Sequence, residues 1–287
     1  MGRERTTDRR TYLRTVGGAG AAGLVGLAGC LGQPGSGGDG GGTEGGGGGT
    51  GGDGGTTAGG RQVVPGTAPG FPPFEIKEGG ELTGFDVELL DAVVAETDYT
   101  LAGWQEFEFD SLIPALTSER IDVIAAAMTI TEERQQTIAF SDPYWSANQA
   151  IVVRDGGDFS PSSLQDLAGH AVGAQKGTTG EGVVQDELIG KGVISESDYR
   201  AFDNYVFAVQ ALENGDVDAV VVDEPVAQTF ADQRNVRVAF VYDTGEQYGF
   251  GLRQDDTALV SALNAGLQAV QDSGQYDELR NQWFAQA

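Results

Sequence analysis

Residues 31–60 contain 18 glycines, set mostly among Ser, Thr and Asp with a single Glu. Such a stretch has almost no apolar surface to bury, so nothing offsets the entropy cost of ordering it. It is expected to act as a flexible tether over 31–61, and thirty such residues reach about 30 Å on average. Matches to glycine-rich phosphate loops inside it carry no weight, because no strand precedes them and no helix follows. Everything able to build a core therefore lies in 62–287, enough for one large core or two modest ones. Cys30 is the only cysteine. No disulfide can brace that core, and packing alone must hold it.

The first thirty residues read as an address. Asp8-Arg9-Arg10-Thr11-Tyr12-Leu13-Arg14 resembles a twin-arginine export signal. The apolar or small run from Val16 to Leu27 is about a dozen residues long, whereas a membrane span needs about 20. It fits the core of a signal peptide. Leu27-Ala28-Gly29-Cys30 follows at once and resembles a lipobox, which marks Cys30 for lipidation. The expected placement is the extracellular face of the membrane, held by a lipid, after export by the twin-arginine route.

With 43 acidic against 17 basic side chains the net charge is −26, and Lys77, Lys176 and Lys191 are the only lysines. Phosphate binding needs clustered Lys and Arg, so nucleic acid is excluded as a partner. The apolar runs after Val63 speak against a disordered acidic chain. The acidity instead resembles that of proteins from salt-loving archaea. At 1 M salt the Debye length falls to roughly 3 Å, and the self-repulsion is screened.

After Arg61 short apolar runs alternate with helical patterns. Strands are expected over 62–67, 100–105, 121–126, 149–154, 170–174, 219–222, 236–242 and 248–252. Helices are expected over 86–97, 110–118, 131–137, 179–189, 205–214, 225–233, 257–273 and 275–284. In the first helix Val87, Leu90 and Val94 share a face, and Asp86 stands where an N-cap belongs. Runs such as Asp218-Ala219-Val220-Val221-Val222 are nearly all apolar, as a sheet buried on both faces requires. The alternation predicts an α/β fold with ligands at the carboxyl ends of the strands.

Several motifs then appear in order. They include Gly66-Thr67, Phe71-Pro72-Pro73-Phe74-Glu75, Gly84-Phe85-Asp86-Val87-Glu88-Leu89 and Phe109-Asp110-Ser111-Leu112. Met128-Thr129-Ile130-Thr131-Glu132-Glu133-Arg134, Gly177-Thr178-Thr179-Gly180, Val222-Asp223-Glu224-Pro225 and Gly274-Gln275-Tyr276-Asp277 continue the series. Together they resemble the polar amino-acid-binding proteins of ABC importers, bacterial solute-binding family 3, across essentially all of 62–287. The resemblance implies a two-lobed, type II periplasmic-binding-protein-like fold, each lobe a mainly parallel sheet flanked by helices. Lobe 1 is expected at 62–151 plus 244–287 and lobe 2 at 152–243, joined by crossovers near 150–153 and 241–244. The cleft would close on its ligand by a hinge motion.

A free amino acid carries a carboxylate and an ammonium, and burying both is costly unless each is paired. The resemblance assigns the carboxylate to Arg134, whose planar fork suits it, with Thr129 and the Ala127 backbone beside it. Thr179 would add donors from lobe 2, and Asp223 would hold the ammonium. Phe71 and Phe109 match the aromatics that sandwich the side chain. Phe74, Phe85, Phe140, Tyr144 and Trp283 are expected in the core, and Glu75 and Asp86 in structural roles. His170 has no metal partners and is read as structural, so neither a metal nor a cofactor is implied. Ala68 stands where many relatives have an Asp, so a polar or uncharged ligand side chain is expected rather than a cationic one. Gln175 and Val222 also occupy pocket positions of relatives.

The expected partners are an amino acid and an ABC permease, with the protein itself a monomer. Two rival readings use the same fold. A dehydratase of cyclic amino-acid precursors would need a general acid or base, for which Asp223 and Glu75 are the candidates. A sensory receptor head would need a transmembrane or signalling segment that 62–287 does not contain. The anchoring expectation is checked at Cys30. Cys30→Ser should release the protein into the medium or leave it unprocessed; wild-type protein that is fully soluble and carries no lipid mass overturns it.

Overall fold

The computed structural model describes residues 61–284; the export signal, Cys30 and nearly all of the glycine tether lie outside them. Two five-stranded sheets organise the described chain. The first runs, in spatial order, Gln105–Glu106, Pro65–Thr67, Val123–Ile124, Gly251–Leu252 and Ala139–Phe140. Only Gly251–Leu252 opposes its neighbours. The second runs Tyr199–Phe202, Val172–Gln175, Ala219–Asp223, Trp145–Arg154 and Val236–Tyr248. There Trp145–Arg154 alone is reversed. This is the expected α/β architecture of two mainly parallel sheets, each the centre of a lobe.

Burial explains the strands. All five residues of Ala219–Asp223 are buried, as are all four of Val172–Gln175, because helices cover the sheet. The helices Tyr205–Asn214, Thr257–Ser273 and Gln275–Phe284 keep the bounds their periodicity predicts. Asn204 caps the first by accepting the Phe207 N–H, and Gly215 ends it in the left-handed conformation that glycine adopts freely. The apolar clusters of the two lobes merge where Phe71 meets Tyr205, ring centroids 5.5 Å apart.

Four local expectations are corrected. The strand expected over 236–242 runs on to Tyr248, and the one expected over 248–252 is confined to Gly251–Leu252 in the other sheet. The polar stretch Asp243-Thr244-Gly245-Glu246-Gln247 reads as a turn, yet it continues the strand Val236–Tyr248, with a register shift between Tyr242 and Glu246. Tyr199–Phe202 is an unexpected edge strand, polar enough to have read as loop. The helix expected over 179–189 is α-helical over Thr179–Val183 and π-helical over Val184–Ile189. Finally, Asp86 is no N-cap. Gly84 holds that position without a side-chain bond, and Asp86 sits inside the helix Phe85–Ala95, fully buried.

The long strands Trp145–Arg154 and Val236–Tyr248 pair from Arg154↔Val236 to Trp145↔Tyr248. At that last end the pair reaches the first lobe, where Ile130 N–H donates to the Gln247 carbonyl and Gly249 N–H to the Met128 carbonyl. On the far side of lobe 1 the helices Phe85–Ala95 and Thr257–Ser273 meet at Gly266, where an added Cβ would stand 2.3 Å from the Val93 carbonyl oxygen. Gly266→Ala gains about 1 kcal/mol of helix propensity but overpacks the contact by roughly 1–3 kcal/mol or more. The melting temperature should drop by roughly 5 °C; an increase would show that the two helices part without cost.

Candidate functional site

A small pocket lies between the lobes. It is lined by Phe71, Phe109, Ala127, Thr129, Arg134, Thr179 and Asp223, every ligand-contact residue expected from the sequence. Ala68, Glu75, Ala126, Gln175 and Thr178 complete the wall. Val222 is buried in the core cluster rather than in the cavity wall. His170 is far from metal chemistry: its ring stacks on Phe159 at 3.8 Å and Nδ1 shares a hydrogen bond with Asp218.

Arg134 belongs to the short helix Glu132–Gln135, capped by Thr131, whose hydroxyl accepts the Arg134 N–H. Its guanidinium donates to the Thr129 carbonyl at 2.7 Å and, across the cleft, to the Gly177 carbonyl at 3.0 Å. The Phe109 ring lies 5.3 Å from the guanidinium carbon, a cation–π contact. Burial lowers the Arg134 pKa, while the charges of Asp223 and Glu246 oppose that shift. Gly177 permits the close approach: a Cβ there would stand 2.9 Å from the Asp110 Cβ, and its φ of +73° suits glycine. Phe109, Thr129, Arg134, Thr178 and Thr179 line both this cavity and a larger outer cleft, so they form the partition between the two.

Asp223 ends the strand Ala219–Asp223 at the cavity. It occupies the N-cap position of the helix Glu224–Gln233 but makes no capping bond. Its Oδ1 instead accepts the Tyr248 hydroxyl at 2.6 Å. Burial, then the nearby Glu246 charge, pushes its pKa up to about 7. Asp86 is likewise pushed to about 7, chiefly by burial. It accepts the Ala127 N–H at 2.6 Å and the Tyr144 hydroxyl at 2.5 Å. Ala127 has φ +44°, a left-handed conformation uncommon outside glycine, and the Asp86 bond holds it there. Since that N–H is engaged, Ala127 cannot offer it to a ligand carboxylate, which revises the expected role of its backbone.

Glu75 is the side chain that sequence reasoning misplaced. Expected to be structural, it lines the cavity at 1% exposure, and its Oε2 has no hydrogen-bond partner. Burial, then Asp86 and Asp223, raise its pKa well above the ordinary carboxylate range. The available signal was a lone acid inside the apolar run Phe71-Pro72-Pro73-Phe74-Glu75-Ile76. A second revision concerns Thr129 and Thr179. Both hydroxyls donate to the Oε2 of Glu246 at 2.8 Å, a residue no motif singled out.

Residues 63–286 match the family model of bacterial extracellular solute-binding proteins, family 3. A probable histidine-binding protein of Campylobacter jejuni is 32% identical over 217 residues, covering 75% of this chain and 81% of the relative. An ancestral arginine-binding protein bound to arginine superposes with a TM-score of 0.73 at 39% identity, covering 78% of this chain and 98% of that one. An ancestral arginine-binding protein bound to glutamine superposes with a TM-score of 0.72 at 40% identity, with 78% and 97% covered.

The raised carboxylates set a pH dependence. Asp86 and Asp223 titrate near 7 when folded, against about 3.9 when unfolded. Between those values the folded chain holds protons that the unfolded chain has lost, so stability falls as pH rises. Each group contributes at most roughly 3–4 kcal/mol across that window. The carboxyls of Asp166 and Asp198, lowered by their serine hydrogen bonds, act only below it. In molar salt the urea midpoint of the ligand-free protein should therefore decline from pH 5 to pH 8, and Asp86→Asn should flatten the decline. A rising profile would contradict the burial argument.

Proposed function

The chain belongs to the bacterial extracellular solute-binding proteins of family 3, and on that premise we propose that it captures arginine, or another amino acid with a cationic side chain, for an ABC importer. In this reading Arg134 clamps the ligand carboxylate, Asp223 takes the ammonium, and Phe71 and Phe109 flank the side chain. The Thr129 N–H supports the carboxylate end: the bonds on either side of it run from Ile130 and Gly249, which leaves it free to donate. Relatives named for histidine and arginine binding agree with a nitrogen-rich ligand. They are also named as binding proteins, against the dehydratase reading.

The observation that carries the ligand class is Glu75. Ala68 removes one carboxylate from the pocket, and on that ground a polar, uncharged ligand was expected. Glu75 restores a carboxylate from elsewhere in the chain. It is buried and unpartnered at Oε2, and among the described residues the only cation lining the cavity is Arg134. A cationic side chain supplies the counter-charge that burial otherwise makes costly. An uncharged amide such as that of glutamine would bind against the protonated acid, and should do so more weakly at high pH.

The finer placement rests on the N-terminal sequence: export by the twin-arginine route, a lipid on Cys30, and a monomer tethered at the outer face of the membrane. The crossovers expected near 150–153 and 241–244, between 62–151 with 244–287 and 152–243, fall where Gln149–Val153 and Tyr242 are already paired within the second sheet, so the hinge is proposed closer to the first lobe, over 145–148 and 243–247. The register shift between Tyr242 and Glu246 falls at the second of these segments and supports that placement.

Calorimetry in molar salt at pH 8 tests the proposal. Arginine should bind at least tenfold tighter than glutamine, and Glu75→Gln should cost arginine roughly two orders of magnitude while sparing glutamine. Arg134→Ala or Asp223→Ala, each leaving a ligand charge unpaired, should weaken binding by roughly two to three and a half orders. Equal affinity for arginine and glutamine, unmoved by Glu75→Gln, removes the cationic assignment. Both charge deletions binding within threefold of wild type removes the site.

A further inference from the structure

Glu246 stands on the returning strand Val236–Tyr248, just past its register shift, and is 8% exposed. Its carboxylate accepts four side-chain donors. Oε2 takes the hydroxyls of Thr129 and Thr179, each at 2.8 Å. Oε1 takes the Gln149 amide and the Thr244 hydroxyl, each at 3.0 Å. Thr129 belongs to the first lobe and Thr179 to the second, and their hydroxyl oxygens lie 3.4 Å apart. Glu246 itself borders the outer cleft, behind the two threonines.

A hydroxyl has one proton to give. With that proton directed at Glu246, the Thr129 and Thr179 oxygens offer only lone pairs elsewhere, and Thr179 already accepts Gln149 Nε2 at 3.2 Å. Thr129 thus presents an acceptor to the cavity, suited to an ammonium and not to a carboxylate. A neutral Gln at 246 cannot reproduce this set, because one of its two ends is itself a donor.

We infer that Glu246 is a positioning residue that joins the lobes: one carboxylate oxygen draws Thr129 and Thr179 together across the cleft and fixes the hydrogen-bond polarity of both. Closure and the preparation of the ammonium wall are then a single event. The polarity half of this rests on the amino-acid reading above; the closure half does not.

Charge adds a second readout. Asp223 is faced by Glu246 and Tyr248 from the returning strand and by Gln149 from the strand beside it. Tyr205 faces it from the helix Tyr205–Asn214, Glu75 from the loop after Phe74, and Arg134 from the first lobe. Glu246 is the largest of the charges that raise it. Affinity for a ligand ammonium rises as Asp223 deprotonates, so removing the Glu246 charge should move that rise to lower pH.

The test uses the full chain, spin-labelled through Ser118→Cys on the first lobe and Ser197→Cys on the second, both exposed. Lobe separation is measured without ligand, then with L-arginine. Glu246→Gln should lower the closed fraction without ligand by roughly tenfold, the scale of losing a charge-assisted hydrogen bond. It should also weaken L-arginine at least tenfold and shift the pH midpoint of its affinity downward. Should Glu246→Gln fail to fold, Thr179→Val removes the second-lobe donor and must reproduce the opening. An unchanged closed fraction in the folded variant overturns the inference, as does a Thr179→Val protein that stays closed. If wild type binds no amino acid, the functional reading fails, while the ligand-independent separation still decides the role of Glu246 in closure.

Discussion

Charge is distributed unevenly inside this cleft, and much of the site follows from that imbalance. Glu75, Asp86 and Asp223 are all buried, and desolvation pushes each toward its neutral form; Asp86 and Asp223 add repulsion at Glu75, and Glu246 adds it at Asp223. One guanidinium, Arg134, stands near them and is itself depressed by burial. Carboxylates held this way destabilise the ionised folded chain, so the arrangement is costly unless something else gains from it. The cationic amino acid proposed above, with two positive groups and one negative group, would supply the missing charge. The cost is the familiar one of pre-organisation: stability is given up where binding will recover it.

The acids are kept in place by neighbours that do not line the pocket. Asp86 itself lies outside the pocket wall, yet it holds Ala127 in a left-handed conformation and ties the Tyr144 hydroxyl. Tyr248 does the same for Asp223 from the opposite strand. These partners come from the helix Phe85–Ala95, from Tyr144 just before the outgoing strand and from the returning strand, so the geometry of the pocket is inherited from the packing around it.

How much of this was legible in the sequence depends on the range of the interaction. The helices Tyr205–Asn214 and Thr257–Ser273 carry their own periodicity and caps, and local pattern located them to the residue. That Phe71, Phe109, Thr129, Arg134, Thr179 and Asp223 would line one pocket was legible because short motifs mark them. What stayed hidden involves partners far apart along the chain. Glu246 meets Thr129 across 117 positions and Gln149 across 97, and its own surroundings, Thr244-Gly245-Glu246-Gln247, look like a turn. Asp86 looked like a cap because an acid at a helix start usually is one; its true partner lies 41 residues away. Glu75 was expected in a structural role and Ala68 pointed to an uncharged ligand; the buried, unpartnered Oε2 of Glu75 is a long-range feature that neither motif displays.

The aromatic packing at the joint has an optical consequence. Trp145 begins the outgoing crossing strand and pairs with Tyr248, the residue whose hydroxyl holds Asp223. Its indole stacks on Phe284 at 4.2 Å and lies 5.5 Å beneath the Arg280 guanidinium. A chromophore wedged between an aromatic plane and a cation is sensitive to small displacements of either. Any slip of the returning strand at Tyr248 is therefore conveyed to Trp145 through their pairing. For the hinge proposed above, the protein would carry its own fluorescent indicator, read without labels against only two other tryptophans, Trp104 and Trp283.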